Sequence, residues 1–450
     1  MASLARRQTE AASPAWRPRY SWPPEQANSS ASTGGGAASG ACAAPSSPRE
    51  LHSDSSRMYE PQASEFHVVS LNNSGYSALQ TISEGNNAFT LDLYKFQSLA
   101  VQPGNLFFSP LSIQVALALV FLGAKGNTAK EIAAGLHLPD ERKLIENGFR
   151  ALMTKLNEYD EVTLHIANRI FLKYGCGIKE DFKAAALRFL SGAQELDFSH
   201  SEEARSQINK WVEDQTRQKI RNLVQPGVLN SDTIAVIANA IYFKGDWATK
   251  FDKRSTAPMP FRSASSTDVQ MMFVKAKFRY IELQVPNSQI LLLPYKGNRF
   301  SMMVVLPTEV DGLFDVEKQL ADANLFDIAD QTFKQMVHVY LPKFKLEYEK
   351  ELEESLQTLE MRSMFDVNKA NFSGISDKEH LVVNQVLHKA FIEVSEEGTE
   401  AAAATAVTIV TYSAWSAPTV FKADHPFTFF ILDEETRTVL FAGRVCAPTT

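Results

Sequence analysis

From Asn86 onward the apolar positions recur first at helical and later at strand spacing. Phe89, Leu93, Phe96 and Ala100 lie three or four residues apart, which predicts a helix buried along one face. Ser109 followed by Pro110 predicts the start of a second helix, the serine as cap and the proline in the first turn. The body of that helix, VALALVFLGA, is apolar almost all round and belongs in the middle of the core. Thr128 and Glu131 match a capping box for a third helix, and a fourth is expected from Asp140 to Glu158. Strand periods follow. Val162, Leu164 and Ile166 alternate with polar neighbours, while Ile234 to Phe243 is a nearly continuous apolar run, as in a strand covered on both faces. ILLLPY and FSMMVVLP flank Lys296-Gly297-Asn298, a hairpin pattern. Val337 to Leu346 reads as one more strand. FTFFIL, a turn around Asp433 to Glu435, and TVLFAGRV read as a final hairpin. Helices first and long strands later, without internal repeats, predict an α+β protein with large sheets.

The pattern fails before residue 80. Residues 1–60 are rich in Ser, Ala, Gly and Pro (NSSASTGGGAASGACAAPSSP) and cannot bury enough apolar area to offset their ordering entropy. Residues 1–80 are therefore expected to be a disordered low-complexity extension and 81–450 the folded domain. The glycines of the extension are no phosphate loop, because no strand precedes them and no helix follows. The first residues, MASLARRQTEAASPAWRPRYSW, lack the apolar core of a secretory signal. That points to the cytoplasm, with the extracellular space as the alternative if the start differs or export is unconventional. The sequons at Asn28, Asn72 and Asn371 matter only in the second case. No run of about 18 apolar residues exists, so no membrane span is expected. A net charge of −7 and a pI near 5.8 argue against a nucleic-acid partner. Cys42, Cys176 and Cys446 are odd in number and widely spaced, which suits free thiols and neither a disulfide framework nor a metal site.

Residues 393–420, EVSEEGTEAAAATAVTIVTYSAWSAPTV, break the regular pattern. A strand ends near Ser395, and the next begins only around Val420. A connection of about twenty residues without clear structure is uncommon in a compact domain and usually functional. The alanine run has high helix propensity, so a surface helix is the plain alternative. Such a helix would normally carry charge, and 401–420 carries none. A charge-free segment of small residues also suits a strand that enters a sheet. At alternate positions Thr399, Ala401, Ala403 and Thr405 would share one face, all small, and Gly398 supplies backbone freedom at the pivot.

EEGTEAAAATA resembles the hinge of inhibitory serpins. Further stretches carry the same resemblance: NLFFSPLSIQVALALVFLGAKGNTAKEI, INKWVEDQTRQKIRNLV, ANAIYFKGDW, LPKFKLEYE, LHKAFIEVSEEGTEAAAAT and KADHPFTFFILDEETRTVLFAGRV, in this order over about residues 82–447. The chain looks most like the ovalbumin-related branch. The resemblance implies about nine helices, three β-sheets and an exposed reactive-centre loop. It implies no cofactor and a monomer that traps a serine protease in a covalent 1:1 complex. A protease cuts the loop as a substrate, and the cut loop then inserts into the main sheet before the acyl-enzyme is hydrolysed.

Family spacing puts the hinge at Gly398, Thr399, Glu400, Ala401, Ala402, Ala403, Ala404 and Thr405, and the scissile bond between Tyr412 and Ser413. Tyrosine suits a chymotrypsin-like pocket; Ser413 or Ala414 would suit an elastase-like one. No Arg or Lys lies between Gly398 and Pro418, which disfavours trypsin-like targets. Ser109, Ser112, Asn239 and His388 match a polar cluster beneath the opening sheet, Trp247 the tryptophan at the top of the gap, and Lys343 with Glu396 a salt bridge at the loop's base. An isolated His is otherwise a satisfied core residue, an isolated Trp is core, and a surface ion pair contributes little.

Rival readings have less support. An enzyme would need a G-x-S-x-G, H-E-x-x-H, Walker or dinucleotide motif, and none occurs. A non-inhibitory carrier, storage protein or chaperone of the same family would carry bulky or charged hinge residues. Inhibition of cysteine proteases is compatible with the loop. Arg142, Lys143, Arg150 and Lys155 are interleaved with acids, which suits a solvated mixed face rather than a polyanion site.

Overall fold

The computed structural model describes residues 73–449 except 102, 190, 264–265, 379 and 400–417. Among them are nine α-helices: α1 (Asn73–Ala100), α2 (Pro110–Gly123), α3 (Gly126–Gly135), α4 (Arg142–Asn157), α5 (Glu180–Arg188), α6 (Ser201–Gln215), α7 (Leu313–Leu320), α8 (Leu325–Gln331) and α9 (Glu353–Thr358). The strands are β1 (Leu106–Phe108), β2 (Val162–Lys173), β3 (Gly192–Leu196), β4 (Ala235–Asp246), β5 (Ala257–Phe261), β6 (Thr267–Gln284), β7 (Asn287–Pro294) and β8 (Phe300–Pro307). They continue with β9 (Phe333–Pro342), β10 (Phe344–Glu351), β11 (Gln385–Ser395), β12 (Gly398–Thr399), β13 (Thr419–Lys422), β14 (Phe427–Asp433) and β15 (Thr438–Val445). Helix α1 thus begins inside the segment expected to lack structure.

Six strands form one sheet in the order β10-β11-β12-β4-β2-β3. Helix α2 packs beneath it, and all of its residues are buried. Its all-round apolar sequence leaves no face for solvent, so it must lie between sheets. Ser109 caps it, the Oγ accepting from the Ser112 N–H at 3.1 Å, with Pro110 in the first turn. The opposite face of the sheet carries a second apolar cluster, in which Ile208 and Val212 of α6 join Phe171, Ala238 and Tyr242. Strand β4 is therefore apolar on both sides, as its unbroken hydrophobic run requires.

The other sheet has nine strands, along the path β1-β15-β14-β8-β7-β6-β9-β13 with β5 on β6. Its halves meet at β6. Residues 267–280 pair with β5 and β9, and 279–284 pair with β7. Counting the halves apart yields the three expected sheets; hydrogen bonding along β6 makes two of them continuous.

Two sequence expectations need correction. Val337–Leu346 is not one strand: β9 ends at Pro342 in one sheet, and β10 begins at Phe344 in the other. The alternation continues across Lys343, so side-chain period alone hides the change of sheet. Thr128 is not a cap, because α3 starts at Gly126. Its Oγ1 donates to the Lys369 carbonyl and accepts from the Asn371 N–H, while the Glu131 carboxylate accepts from the backbone of Arg362 and Ser363. The capping signature here serves tertiary contacts. Cys176 is buried and Cys446 is half-buried; Cys42 lies outside the described residues.

Candidate functional site

The lower part of the six-stranded sheet is closed. β11 pairs directly with β4 in parallel, Gln385–Phe391 against Val236–Tyr242. Above Phe391 the two strands diverge, and β12 enters between them. Gly398 pairs with Ser395 and Asp246, and Thr399 with Val394 and Gly245, antiparallel on both sides. The segment expected to stand outside from Gly398 onward is corrected at these two residues, which are buried in the sheet. Glu400, Ala401, Ala402, Ala403, Ala404, Thr405, Tyr412 and Ser413 lie outside the described residues. The chain re-enters at β13, which pairs in parallel with β9 of the other sheet.

Gly398 is required by its surroundings. Its φ is +144°, and a Cβ there would stand 2.2 Å from the Gly245 carbonyl oxygen. Thr399 is fully buried, its hydroxyl 3.0 Å from the Tyr295 phenol. The Tyr295 ring stacks on Trp247 at 4.6 Å between centroids, and the Trp247 indole N–H donates to the Ser395 carbonyl at 3.0 Å. Burial pushes the Tyr295 phenol well up, so it stays a neutral hydrogen-bonding group.

The turn before Gly398 is held by charge. Lys343 Nζ lies 3.0 Å from Glu396, which also accepts from Thr256 Oγ1 at 2.8 Å. Glu397 receives Lys250 at 2.8 Å and Lys253 at 3.1 Å. Burial opposes ionisation of Glu396, but its own backbone N–H, Lys343 and Thr256 outweigh it and hold the carboxyl below its ordinary range. The carbonyls of Glu396 and Glu397 accept from the N–H groups of Phe251 and Trp247, both at 2.9 Å.

Farther down the closed seam, Asn168 (β2), Asn239 (β4) and His388 (β11) stand side by side in one row. All face the N-terminus of α2. The Ser109 N–H donates to His388 Nε2 at 3.3 Å, so Nδ1 carries the proton and donates to Asn239 Oδ1. The Asn239 amide donates to the Ser112 carbonyl at 3.0 Å, to Ser112 Oγ at 2.5 Å and to Asn168 Oδ1. The Asn168 amide donates to the Ser112 carbonyl at 3.3 Å, and Ser109 Oγ to the Leu440 carbonyl at 2.7 Å. Burial lowers the His388 pKa to about 3, which leaves it neutral. A second ring proton would point at the Ser109 N–H.

The structure thus brings together Ser109, Ser112, Asn239 and His388 in one cluster, and Trp247 with Lys343 and Glu396 at the head of the seam. Sequence reasoning missed Asn168, Tyr295 and the Glu397 clamp. Asn168 was detectable: it interrupts the apolar alternation Val162, Leu164, Ile166, Ile170, Leu172. Tyr295 follows a strand end and has no local signal. On α4, Arg142 is spent capping α2, donating to the carbonyls of Phe121, Leu122 and Ala124, and Lys155 pairs with Glu435. Among the described residues no group of acids, histidines and cysteines is arranged to hold a metal ion, and no helix is long and apolar enough to cross a membrane.

The family model described as serpin (serine protease inhibitor) matches residues 84–448. Serpin B4 of Homo sapiens is 38% identical over 392 residues, covering 82% of this chain and 100% of that protein. Leukocyte elastase inhibitor A of Rattus norvegicus is 38% identical over 382 residues, with coverage of 82% and 100%. Among solved structures, Serpin48 of Tenebrio molitor superposes with a TM-score of 0.74 at 34% identity, covering 82% of this chain and 99% of that one. Uncleaved ovalbumin superposes with a TM-score of 0.73 at 31% identity, covering 82% and 100%. The chain belongs to the serpin family, whose members include protease inhibitors rather than catalysts. Within that family its relatives place it in the ovalbumin-related branch.

Proposed function

We propose that this serpin inhibits chymotrypsin-like or elastase-like serine proteases as a suicide substrate, cut between Tyr412 and Ser413. The observation that carries this reading is the short antiparallel insertion of Gly398–Thr399 between β11 and β4. It is the first step of a strand addition whose path is already defined by register. Each further hinge residue advances one position down β4 and one down β11. Ala402 then falls between Phe391 and Tyr242, Thr405 between His388 and Asn239, and Thr408 between Gln385 and Val236. Thr405 shares the face of Thr399 and meets the buried polar cluster, where its hydroxyl takes up hydrogen bonds that His388 and Asn239 release on separating. No member of the row is left unsatisfied, which keeps the transition from stranding buried polar groups.

The chemistry balances as follows. The protease serine Oγ adds to the Tyr412 carbonyl, the Tyr412–Ser413 C–N bond breaks, and Ser413 leaves as a protonated amine. An ester now joins Tyr412 to the enzyme. Water would hydrolyse it, but insertion carries the enzyme away and distorts its site first. Insertion exchanges one parallel ladder for two antiparallel ones. At about 1 kcal/mol net per hydrogen bond, a strand of about a dozen residues stabilises the inserted state by on the order of 10 kcal/mol. The protein acts as a monomer in the cytoplasm, forms a covalent 1:1 complex, and needs no cofactor.

The test is incubation with chymotrypsin, cathepsin G and pancreatic elastase, followed by denaturing electrophoresis and mass spectrometry of the released peptide. A complex that survives denaturation, with a peptide starting at Ser413, is the expected result. Clean cleavage without complex, or no cleavage by any of the three, refutes the serine-protease reading and favours a non-inhibitory serpin or a target of another protease class.

A further inference from the structure

The half of the nine-stranded sheet formed by β6, β9 and β13 has an outer face that the loop-insertion mechanism does not use. Cross-strand register puts Phe273, Tyr340 and Lys422 in one row, Lys275, His338 and Val420 in the next, and Lys277 with Met336 beyond them. The alternate residues of these strands, such as Val274, Val337, Val339 and Phe421, face the core. Phe273 and Tyr340 are half-buried, with ring centroids 4.7 Å apart, and Val420 is 42% exposed. Lys334, on the same side of β9, is exposed. This chain has net charge −7, yet Val269–Ile281, Phe333–Pro342 and Thr419–Lys422 contain no acidic residue. Among the described residues neither Lys277 nor Lys334 pairs with a carboxylate. Lys422 shares Asp424 with Arg262, at 3.1 and 2.6 Å, so that corner also stays positive.

We infer that this face is a docking surface for an acidic patch on the attacking protease, with Phe273, Tyr340 and Val420 as apolar centre and Lys275, Lys277, Lys334 and Lys422 as charged rim. The inference rests on the proposed reactive bond and deepens that reading. Position 412 is seven residues before Thr419. A fully extended chain keeps it within about 25 Å of β13. A protein interface covers about 800 Å² per partner, or about 30 Å across. The intervening chain is thus short enough for an enzyme seated on the reactive bond to reach this face. Aromatic residues are enriched at the centres of protein interfaces and polar groups at their rims, which fits Phe273 and Tyr340 inside a ring of lysines. The surface selects among proteases with the same pocket by their charge.

The test measures association of the protein with anionic and cationic chymotrypsin isoforms, each with its catalytic serine replaced by alanine, at about 0.02 and about 0.3 M ionic strength. These enzymes cannot acylate, so the result does not depend on covalent trapping or insertion. The anionic isoform is expected to associate about tenfold faster at low than at high salt. Lys277→Glu combined with Lys334→Glu should remove that advantage and favour the cationic isoform. Both side chains are exposed, so the fold is retained. Equal rates for wild type and variant, or no measurable association of the anionic isoform, overturn the inference. So does loss of heparin retention by the variant with unchanged protease association, which would make the face a polyanion site. Failure to form a denaturation-resistant complex with active enzyme, with the salt dependence intact, counts against the proposed mechanism alone.

Discussion

Replacing Thr399 by arginine puts the insertion mechanism at most risk. Thr399 has no exposed surface, and its hydroxyl meets the Tyr295 phenol beneath the stacked Trp247. A guanidinium there enters a pocket walled by two aromatic rings. The nearby carboxylates of Glu396 and Glu397 are already held by Lys343, Lys250 and Lys253. Burying the unpaired charge costs several kcal/mol, and stacking on the rings returns up to about 2 kcal/mol. The substituted hinge is therefore expelled from the gap in the intact protein, and a net penalty of about 3 kcal/mol on its re-entry slows insertion about 100-fold. Hydrolysis of the acyl-enzyme then wins the competition. Titration against a fixed amount of chymotrypsin should show the number of inhibitor molecules consumed per enzyme rising above one, because the ratio of hydrolysis to trapping grows about 100-fold, with cleaved protein replacing the complex on a denaturing gel. Thr399→Ser, which keeps the hydroxyl, should stay near wild type. A Thr399→Arg protein that still consumes about one molecule per enzyme would refute the claim that this residue leads the insertion.

Three further outcomes follow from the same geometry. His388 has a folded-state pKa of about 3 against about 6.5 when unfolded, so its contribution is fully present above about pH 6.5 and is lost as pH falls toward 3. Urea unfolding should show about 2 kcal/mol less stability at pH 5 than at pH 7 from this residue, and a His388→Gln protein with an unchanged slope over that window would contradict the assignment. Gly398→Ala should expel the hinge, because its Cβ would meet the Gly245 carbonyl at 2.2 Å; the emission of Trp247, isolated by difference from Trp247→Phe, should shift to the red, and an unchanged spectrum would mean the hinge tolerates a side chain. Tyr412→Arg should redirect inhibition to trypsin-like enzymes, and retention of chymotrypsin inhibition alone would show that the reactive bond lies elsewhere.

Much of this arrangement was legible because the informative residues violate a local rule. The segment after the Gly398 pivot stood out because residues 401–420 carry no charge where a surface helix normally would. Ser109 was recognisable as a cap from its neighbour Pro110, whereas His388 and Asn239 were reached through the family resemblance. Asn168 interrupts the apolar alternation of β2 and was overlooked. Thr128 and Glu131 show the opposite failure: a valid capping pattern within four residues is outweighed by partners more than 200 residues away, Asn371 and Ser363. The break at Lys343 was invisible because a period of two is the same in either sheet.

What the chain determines by itself is the inventory: which segments are helical or extended, which face each buries, and that residues 401–420 are uncharged and begin with side chains small enough to become a strand. These follow from side-chain volume, period and charge, which act over a few residues. Only the tertiary structure decides that β11 and β4, nearly 150 residues apart in sequence, lie side by side with a wedge of two residues at their head. It alone aligns Asn168, Asn239 and His388 in one row above α2, assigns Lys250 and Lys253 to Glu397, and sets Tyr295 against Thr399. Those relations depend on register between distant strands, and register is selected by the packing of the whole core, which no local pattern encodes.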